Sequence, residues 1–235
     1  MNDEGRLPTG CAAFDELVCG GFERGTVTQV YGPPAAGKTN VALCAAVAAA
    51  TRGERSVVID TEGISIDRFR QLLEASAADS EETIETVSGR IVLQEVYDFE
   101  EQEEAVRDTA ELAENVDLIV LDSATGFYRL ERDDQDGGET LRRVGRQVTH
   151  LLSLARRHDL AVLITNQVFT DPDADRIRAL GGHTLGHLTG TTVRLDRFRG
   201  GNRRATLEKH RAKAVGESAT FRITGDGMES GEDVV

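Results

Sequence analysis

Short apolar runs alternate with amphipathic stretches along most of this chain. "TVTQVY" (26–31) is rich in β-branched residues and predicts a short strand, and "NVALCAAVAAA" (40–50) just beyond it is an alanine-rich helix former. "SVVID" (56–60) predicts a second strand ending on Asp60, after which "DRFRQLLEASA" (67–77) carries Phe69, Leu72 and Leu73 at helical spacing. "IVLQEV" (91–96) predicts a further strand. An acidic helix is expected from about Phe99 to Asn115, with Glu100, Glu101, Glu103 and Glu104 in its first turns, where the helix dipole favours carboxylates. "DLIVLD" (117–122) and "LAVLIT" (160–165) are continuous apolar runs, as strands buried on both faces should be. Between them, residues 139–157 set Leu141, Val144, Val148, Leu151, Leu152 and Ala155 on one helical face. Strands separated by helices predict an α/β fold with a mostly parallel sheet and right-handed crossovers.

The last third changes character. "TTVRLDRF" (191–198), "RGGN" and "RRATLEKH" (203–210) predict a β-hairpin, and "SATFRIT" (218–224) is another candidate strand, the group being expected as antiparallel additions at one sheet edge. The chain shows no internal repeat and no Pro- or Ser-rich linker, so residues 1–235 are expected to form one domain, with a frayed, disordered tail from about 226 to 235.

Between the first strand and the first helix lies "YGPPAAGKTN" (31–40), which fits G-x-x-x-x-G-K-T at Gly32, Gly37, Lys38 and Thr39. Glycines let consecutive backbone N–H groups turn into one concavity, which suits the phosphates of a nucleotide. The cradle would run through Gly32, Pro33, Pro34, Ala35, Ala36, Gly37, Lys38, Thr39 and Asn40. Lys38 would reach the β- and γ-phosphates, the Thr39 hydroxyl would take a position on Mg²⁺, and the following helix would turn its N-terminus toward the anion. ATP and Mg²⁺ are therefore the expected ligands.

Composition narrows the setting. No run approaches the roughly 18 apolar residues that a membrane crossing needs, and "MNDEGRLPTG" lacks the charged-then-apolar order of a signal peptide. Cys11, Cys19 and Cys44 form no metal pattern, so a reduced, cytoplasmic protein with no membrane partner is expected. With 41 Asp+Glu against 27 Lys+Arg the formal charge is −14, and only Lys38, Lys209 and Lys213 are lysines. Such a surface resembles those of proteins from salt-saturated cytoplasms, where screening suppresses self-repulsion; an ordinary acidic protein with an arginine bias is the other reading. Under the first, net charge says little about nucleic-acid binding.

Three further elements fall at strand ends. Asp122 closes "LIVLD" and would hold Mg²⁺, or else cap the following turn. Glu62, just beyond the strand that ends at Asp60, would orient and deprotonate a water, or else lie solvated in a loop. Gln167 in "LITNQV" would sense a γ-phosphate through its amide, although a lone glutamine is weak support.

Together these elements resemble the RecA/RadA recombinase family. "LPTGCAAFDELVCGGFERGTVTQVYGPPAAGKT" (7–39) is similar to the family's opening, "VVIDTEG" (57–63) to its strand with the catalytic glutamate, "LIVLDSATGFYR" (118–129) to its magnesium strand and "LITNQV" (163–168) to its sensor strand. "LGGHTLGH" (180–187), an arginine-rich hairpin and "GESATFRIT" (216–224) are similar to the archaeal RadA C-terminal end. The resemblance spans roughly residues 7–225 and implies a RecA-like P-loop NTPase core, with Glu62, Lys38 and Gln167 in catalytic roles and Thr39 and Asp122 on Mg²⁺. An N-terminal helix-hairpin-helix domain and a polymerisation linker are not expected, because the core starts almost at Met1. The segment "VFTDPDADRIRAL" (168–180) is shorter and more acidic than the corresponding RadA loop. Core-only archaeal paralogues of RadA are the nearest pattern. That resemblance implies ATP binding with weak hydrolysis, DNA binding, a role in recombinational repair without strand exchange, RadA as a partner, and a monomer or small homo-oligomer instead of a long filament.

Contacts to DNA, single-stranded in the first instance, would come from arginines: Arg129 and Arg132 beyond the Asp122 strand, with Arg142 and Arg143 further on, Arg176 and Arg178 in the shortened loop, and Arg197, Arg199, Arg203 and Arg204 around the hairpin. A guanidinium suits phosphate through two parallel hydrogen bonds, but each of these could equally pair with the chain's many carboxylates. His183 and His187 lack a third metal ligand at suitable spacing. Two main functional classes stand open: an ATP-switched mediator with residual turnover, and an active DNA-stimulated ATPase. A kinase or clock-type regulator is the outsider.

Overall fold

The computed structural model describes residues 5–128, 137–171, 176–198 and 201–231. A small ribbon opens the chain, β1 (Arg6–Leu7) pairing antiparallel with β2 (Phe22–Glu23) around helix α1 (Ala12–Leu17). Strand and helix then alternate: β3 (Val27–Tyr31), α2 (Lys38–Thr51), β4 (Ser56–Asp60), α3 (Ile66–Ala78), α4 (Ile84–Ser88), β5 (Ile91–Glu95), α5 (Phe99–Leu112), β6 (Leu118–Asp122), α6 (Gly137–His158) and β7 (Ala161–Asn166). A short hairpin of β8 (Val168–Asp171) and β9 (Arg176–Ala179) leads to α7 (Gly182–Leu188), and β10 (Thr191–Arg197), β11 (Asn202–Lys209), β12 (Ser218–Ile223) and β13 (Met228–Ser230) complete the chain.

The main sheet has the order β13-β12-β11-β10-β3-β7-β6-β4-β5 among the described residues. The run from β3 to β5 is parallel, and the strands from β10 to β13 pair antiparallel with one another. Both faces are covered. Along β6, Leu118 and Val120 enter the core under α1 to α4, while Ile119 and Leu121 enter the core under α5 to α7. Alternate side chains of one strand thus serve two cores, which is why its sequence is apolar at every position. Local signals agree with the tertiary ones: Asp98 caps α5 by accepting from the Glu101 N–H at 2.8 Å, and Ser65 caps α3 through the Arg68 N–H.

The expected strands and helices appear within a few residues of their boundaries. Four features differ. β10 joins the central strand β3 in parallel and only then turns back into the antiparallel extension, so the C-terminal hairpin continues the sheet through a parallel seam. The shortened segment after β7 holds a β-hairpin, and α4 forms where no helix was expected. The tail expected from 226 onward is ordered further than its polar sequence implied: β13 pairs with β12, and Met228 is buried in the core, so a single apolar side chain anchors the segment. Residues 232–235 lie outside the described residues.

Phe14 locks α1 onto the sheet extension. It is fully buried, with edge-on contacts to Phe22 and Phe221 at 6.2 and 6.1 Å between ring centroids. Phe14→Ala is expected to cost about 3–5 kcal/mol of unfolding free energy, measured by denaturant titration in molar salt. A loss below about 1 kcal/mol, the range of a surface substitution, would contradict this packing.

Candidate nucleotide-binding site

Parallel strands deliver their C-terminal ends to one edge of the sheet, and here register aligns them. Tyr31 lies beside Asn166, and Asp60 beside Asp122. The loop after β3 turns sharply because Gly32 lets β10 approach: a Cβ at this position would lie 2.5 Å from the Leu195 carbonyl oxygen. Gly37, at φ 106, caps α2 in the left-handed region that favours glycine, and a side chain there would meet Ile223 Cδ1 at 2.7 Å. Lys38 begins the helix and is buried, its ammonium donating to the Gly32 carbonyl at 3.0 Å and the Pro33 carbonyl at 3.2 Å. Burial lowers the Lys38 pKa, with Glu62 and Asp122 pulling it back up.

These residues border a cleft of about 360 Å³, lined by Pro34, Ala35, Gly37, Lys38, Thr39, Asn40, Glu62, Gln167, Arg203 and Ile223. Six of the nine residues expected in the cradle line this cleft, Gly32, Pro33 and Ala36 being absent from the lining, and Glu62 and Gln167 join them from beyond other strand ends.

Asp122 is almost wholly buried, and desolvation pushes its pKa up to about 6, with Glu62 and Asp60 adding to the rise and the Thr165 and Thr39 hydroxyls opposing it. Its Oδ1 accepts a hydrogen bond from the Thr165 hydroxyl, whereas its Oδ2 is buried without a hydrogen-bond partner. A buried carboxylate oxygen lacking a donor is costly unless a cation completes it. With a hydroxyl beside it, the donor set is all oxygen, which suits Mg²⁺. Thr39 and Asp122 therefore fit the ion assigned to them.

Glu62 is held by a built turn. The neighbouring Asp60 carboxylate accepts from the backbone N–H groups of Glu62 and Gly63 at 3.0 Å each, and from that of Ile64. Glu62 Oε1 in turn accepts from the Ser123 hydroxyl at 2.8 Å and the Gln167 amide at 2.9 Å. The catalytic candidates Glu62 and Gln167, far apart in sequence, are thus hydrogen-bonded to each other. Thr61 ties the two strand ends together, its hydroxyl accepting from the Ser123 N–H at 2.8 Å and donating to the Ser123 carbonyl at 3.1 Å. From Gln167 a polar chain leads away from the cleft. The Gln167 N–H donates to the Thr125 hydroxyl, Thr125 donates to the Asn166 side chain at 2.7 Å, and Asn166 donates to the Leu180 carbonyl at 2.7 Å. Leu180 returns its N–H to the Gln167 carbonyl at 2.9 Å, closing the base of the β8–β9 hairpin.

Sequence reading missed Asp60, Ser123, Thr125 and Asn166 as site residues. Asp60 carried a signal, since a short acidic side chain two residues before the candidate Glu62 is the pattern of a side-chain turn. The others depend on which strands are neighbours and carry no local mark. Ile223 reaches the cleft from β12 and could not have been found from sequence.

The DNA candidates are dispersed. Arg129, Arg132 and Arg199 lie outside the described residues, as do the side chains of Arg176, Arg178 and His183. Arg142 pairs with Glu139, while Arg143 pairs with Glu103 at 2.6 Å and lies over the Phe99 ring, so both act as ion-pair partners. Arg203 and Arg204 are adjacent on β11 and point to opposite faces: Arg204 stacks on Phe198 at 4.5 Å, whereas Arg203 lines the nucleotide cleft. No group of His, Cys, Asp and Glu among the described residues could hold a metal by itself. No helix among them is long and apolar enough to cross a membrane.

Comparison with known proteins agrees with this geometry. The Rad51 family model matches residues 5–231. "DNA repair and recombination protein RadB" of Halobacterium salinarum is 62% identical over 231 residues, covering 97% of this chain and 96% of the relative. The protein of the same name from Methanococcoides burtonii is 40% identical, covering 95% and 97%. A solved structure described as "Crystal structure of the RadB recombinase" superposes with a TM-score of 0.80 at 35% identity, covering 96% of this chain and all of that one. The similarity to a Halobacterium protein accords with the salt-adapted reading of the acidic composition. The chain belongs to the Rad51 family of RecA-like proteins and is RadB-like across nearly its whole length.

Proposed function

We propose that this protein is an ATP-switched mediator of homologous recombination and DNA repair, hydrolysing ATP slowly and acting on DNA and on a RadA-type recombinase without exchanging strands itself. The observation that carries the reading is the Glu62 carboxylate, fixed by Ser123 and Gln167 across the cleft from Lys38. Lys38 would pair with the β- and γ-phosphates, and the backbone N–H groups at the start of α2 would hold the remaining phosphate oxygens. Mg²⁺ held by Thr39 and Asp122 would neutralise charge on the β- and γ-phosphate oxygens. Glu62 would orient the attacking water and accept its proton as the oxygen bonds to the γ-phosphorus and the bond to the β-phosphate oxygen breaks.

The names of the RadB relatives support the repair role, and the acidic "TDPDAD" (170–175) argues against a tight grip on DNA by the shortened segment after β7. One observation favours the second reading, a DNA-stimulated ATPase: the polar chain from Glu62 through Gln167 and Asn166 to Leu180 connects the phosphate end of the cleft to the β8–β9 hairpin.

Steady-state ATP hydrolysis in molar salt, with and without single-stranded DNA and with Lys38→Ala as the blank, separates the two readings. The mediator reading expects slow turnover that DNA changes by less than about twofold, together with altered assembly of RadA on DNA when ATP is present. Stimulation of several-fold by DNA alone would replace it with the second reading. No effect of this protein on RadA assembly, with ATP or with ADP, would contradict it.

Two substitutions examine the chemistry. Glu62→Gln is expected to lower turnover by about 10²-fold or more while ATP affinity stays within a few-fold, because the group acts on the water; unchanged turnover would remove Glu62 from its role. Asp122→Asn is expected to abolish most of the gain in ATP affinity that Mg²⁺ gives over EDTA. An equal gain in both proteins would place the ion elsewhere.

A further inference from the structure

Among the described ion pairs, the arginines of this chain mostly find carboxylates: Arg24 with Glu54 and Asp117, Arg90 with Glu82, Arg143 with Glu103, Arg194 with Asp196 and Glu208. Arg203, like Arg6 and Arg68, bonds to neutral acceptors instead. Among the described residues its Nη1 donates to the main-chain carbonyls of Gly201 and Asn202 alone, and its Nε is buried without a hydrogen-bond partner. In the β10–β11 register it stands opposite another cation, Arg197, which together with burial makes its charge less favourable. A guanidinium short of hydrogen bonds and of counter-charge, in a chain with 41 acidic residues, has its missing partner elsewhere.

Its position says where. Residues 203, 205 and 207 share one face of β11, and Ala205 and Leu207 pack in the core on the side of α2. Arg203 continues that row toward the phosphate-loop end of the sheet and lines the same cleft as Lys38, Thr39 and Glu62. A Cβ placed on Gly37 would lie 3.8 Å from Arg203 Nε. Nη1 is anchored to the hairpin backbone, so the orientation of the fork is set before a ligand arrives, and less rotamer freedom is lost on binding.

We propose that Arg203 is a second cationic ligand of the bound nucleotide, donating from its guanidinium to the phosphate chain in cis, and is not part of a DNA surface. The inference rests on the nucleotide site proposed above. Lys38 approaches the phosphates from within the loop, and Arg203 from the antiparallel extension of the sheet. Nucleotide occupancy thereby becomes coupled to the β10–β11 hairpin, whose opposite face carries the Phe198–Arg204 pair.

The test is a set of binding titrations on the full chain in molar salt with Mg²⁺, using mant-ATP, mant-ADP and a fluorescent poly(dT) oligonucleotide. Arg203→Ala is expected to weaken both nucleotides by about tenfold or more, the worth of a charge-assisted hydrogen bond. Arg203→Lys should recover part of the loss, poly(dT) binding without nucleotide should stay within twofold, and the nucleotide-free melting temperature should not fall. Arg203→Gln carries the same expectation should the alanine variant unfold. Nucleotide affinities within twofold of wild type would overturn the proposal, and a loss of poly(dT) binding in their place would assign Arg203 to DNA. Lys38→Ala keeps the two layers apart. If it leaves mant-ATP binding intact, the nucleotide site itself is wrong. If it abolishes binding while Arg203→Ala does not weaken it, only the role of Arg203 fails.

Discussion

Two carboxylates, Asp60 and Asp122, end neighbouring parallel strands in the same register, both nearly buried, and the site depends on how their charges are met. Parallel pairing leaves no freedom here, because aligned strands place their last residues side by side. Each carboxylate is resolved differently. Asp60 receives three backbone N–H groups from the turn that follows it, and that turn projects Glu62 over the cleft. Asp122 receives a threonine hydroxyl on one oxygen and nothing on the other, and its pKa is driven up to about 6 by burial. One acid is spent on architecture, and its neighbour is kept in want of a cation. The same environment lowers the pKa of Lys38, whose buried ammonium the two nearby acids Glu62 and Asp122 help to keep charged.

The remaining elements position what this edge requires. β10 packs against β3 so closely that position 32 must be glycine, and the antiparallel strands beyond it bring Arg203 and Ile223 across the phosphate loop. On the other side, β7 ends in Asn166 with Gln167 just beyond it, one bonded to the base of the β8–β9 hairpin and the other to Glu62. A polar route therefore runs from Glu62 through Gln167 to Leu180.

Much of this was legible in the sequence. The apolar runs at 56–60, 117–122 and 160–165 mark strands because a parallel sheet covered on both faces tolerates no polar alternation. The phosphate loop, Glu62, Asp122 and Gln167 were legible because each follows or ends such a run, where α/β folds place their ligands. Strand order was not encoded locally, and so the contacts that depend on it were hidden: Ser123 and Gln167 meeting on Glu62, the relay through Thr125, and Arg203 turning to the cleft while Arg204 turns away. The tail was misjudged for a related reason. "GDGMESGEDVV" is polar except at Met228 and the closing Val234 and Val235, and the pairing that buries Met228 comes from β12. For the arginines, the carboxylate pairing weighed beside DNA contact holds for Arg142 and Arg143, whose partners α6 and α5 supply.

The central claim is an ATP switch, and the polar route through Gln167 to the β8–β9 hairpin would carry its signal under either reading. Amide hydrogen exchange at Leu180, whose N–H is bonded to the Gln167 carbonyl, tests it most directly. In molar salt the account predicts different protection of this amide with a slowly hydrolysed ATP analogue than with ADP, and loss of that difference in Gln167→Ala while nucleotide binding persists. Equal protection with both nucleotides in the wild-type protein would contradict it.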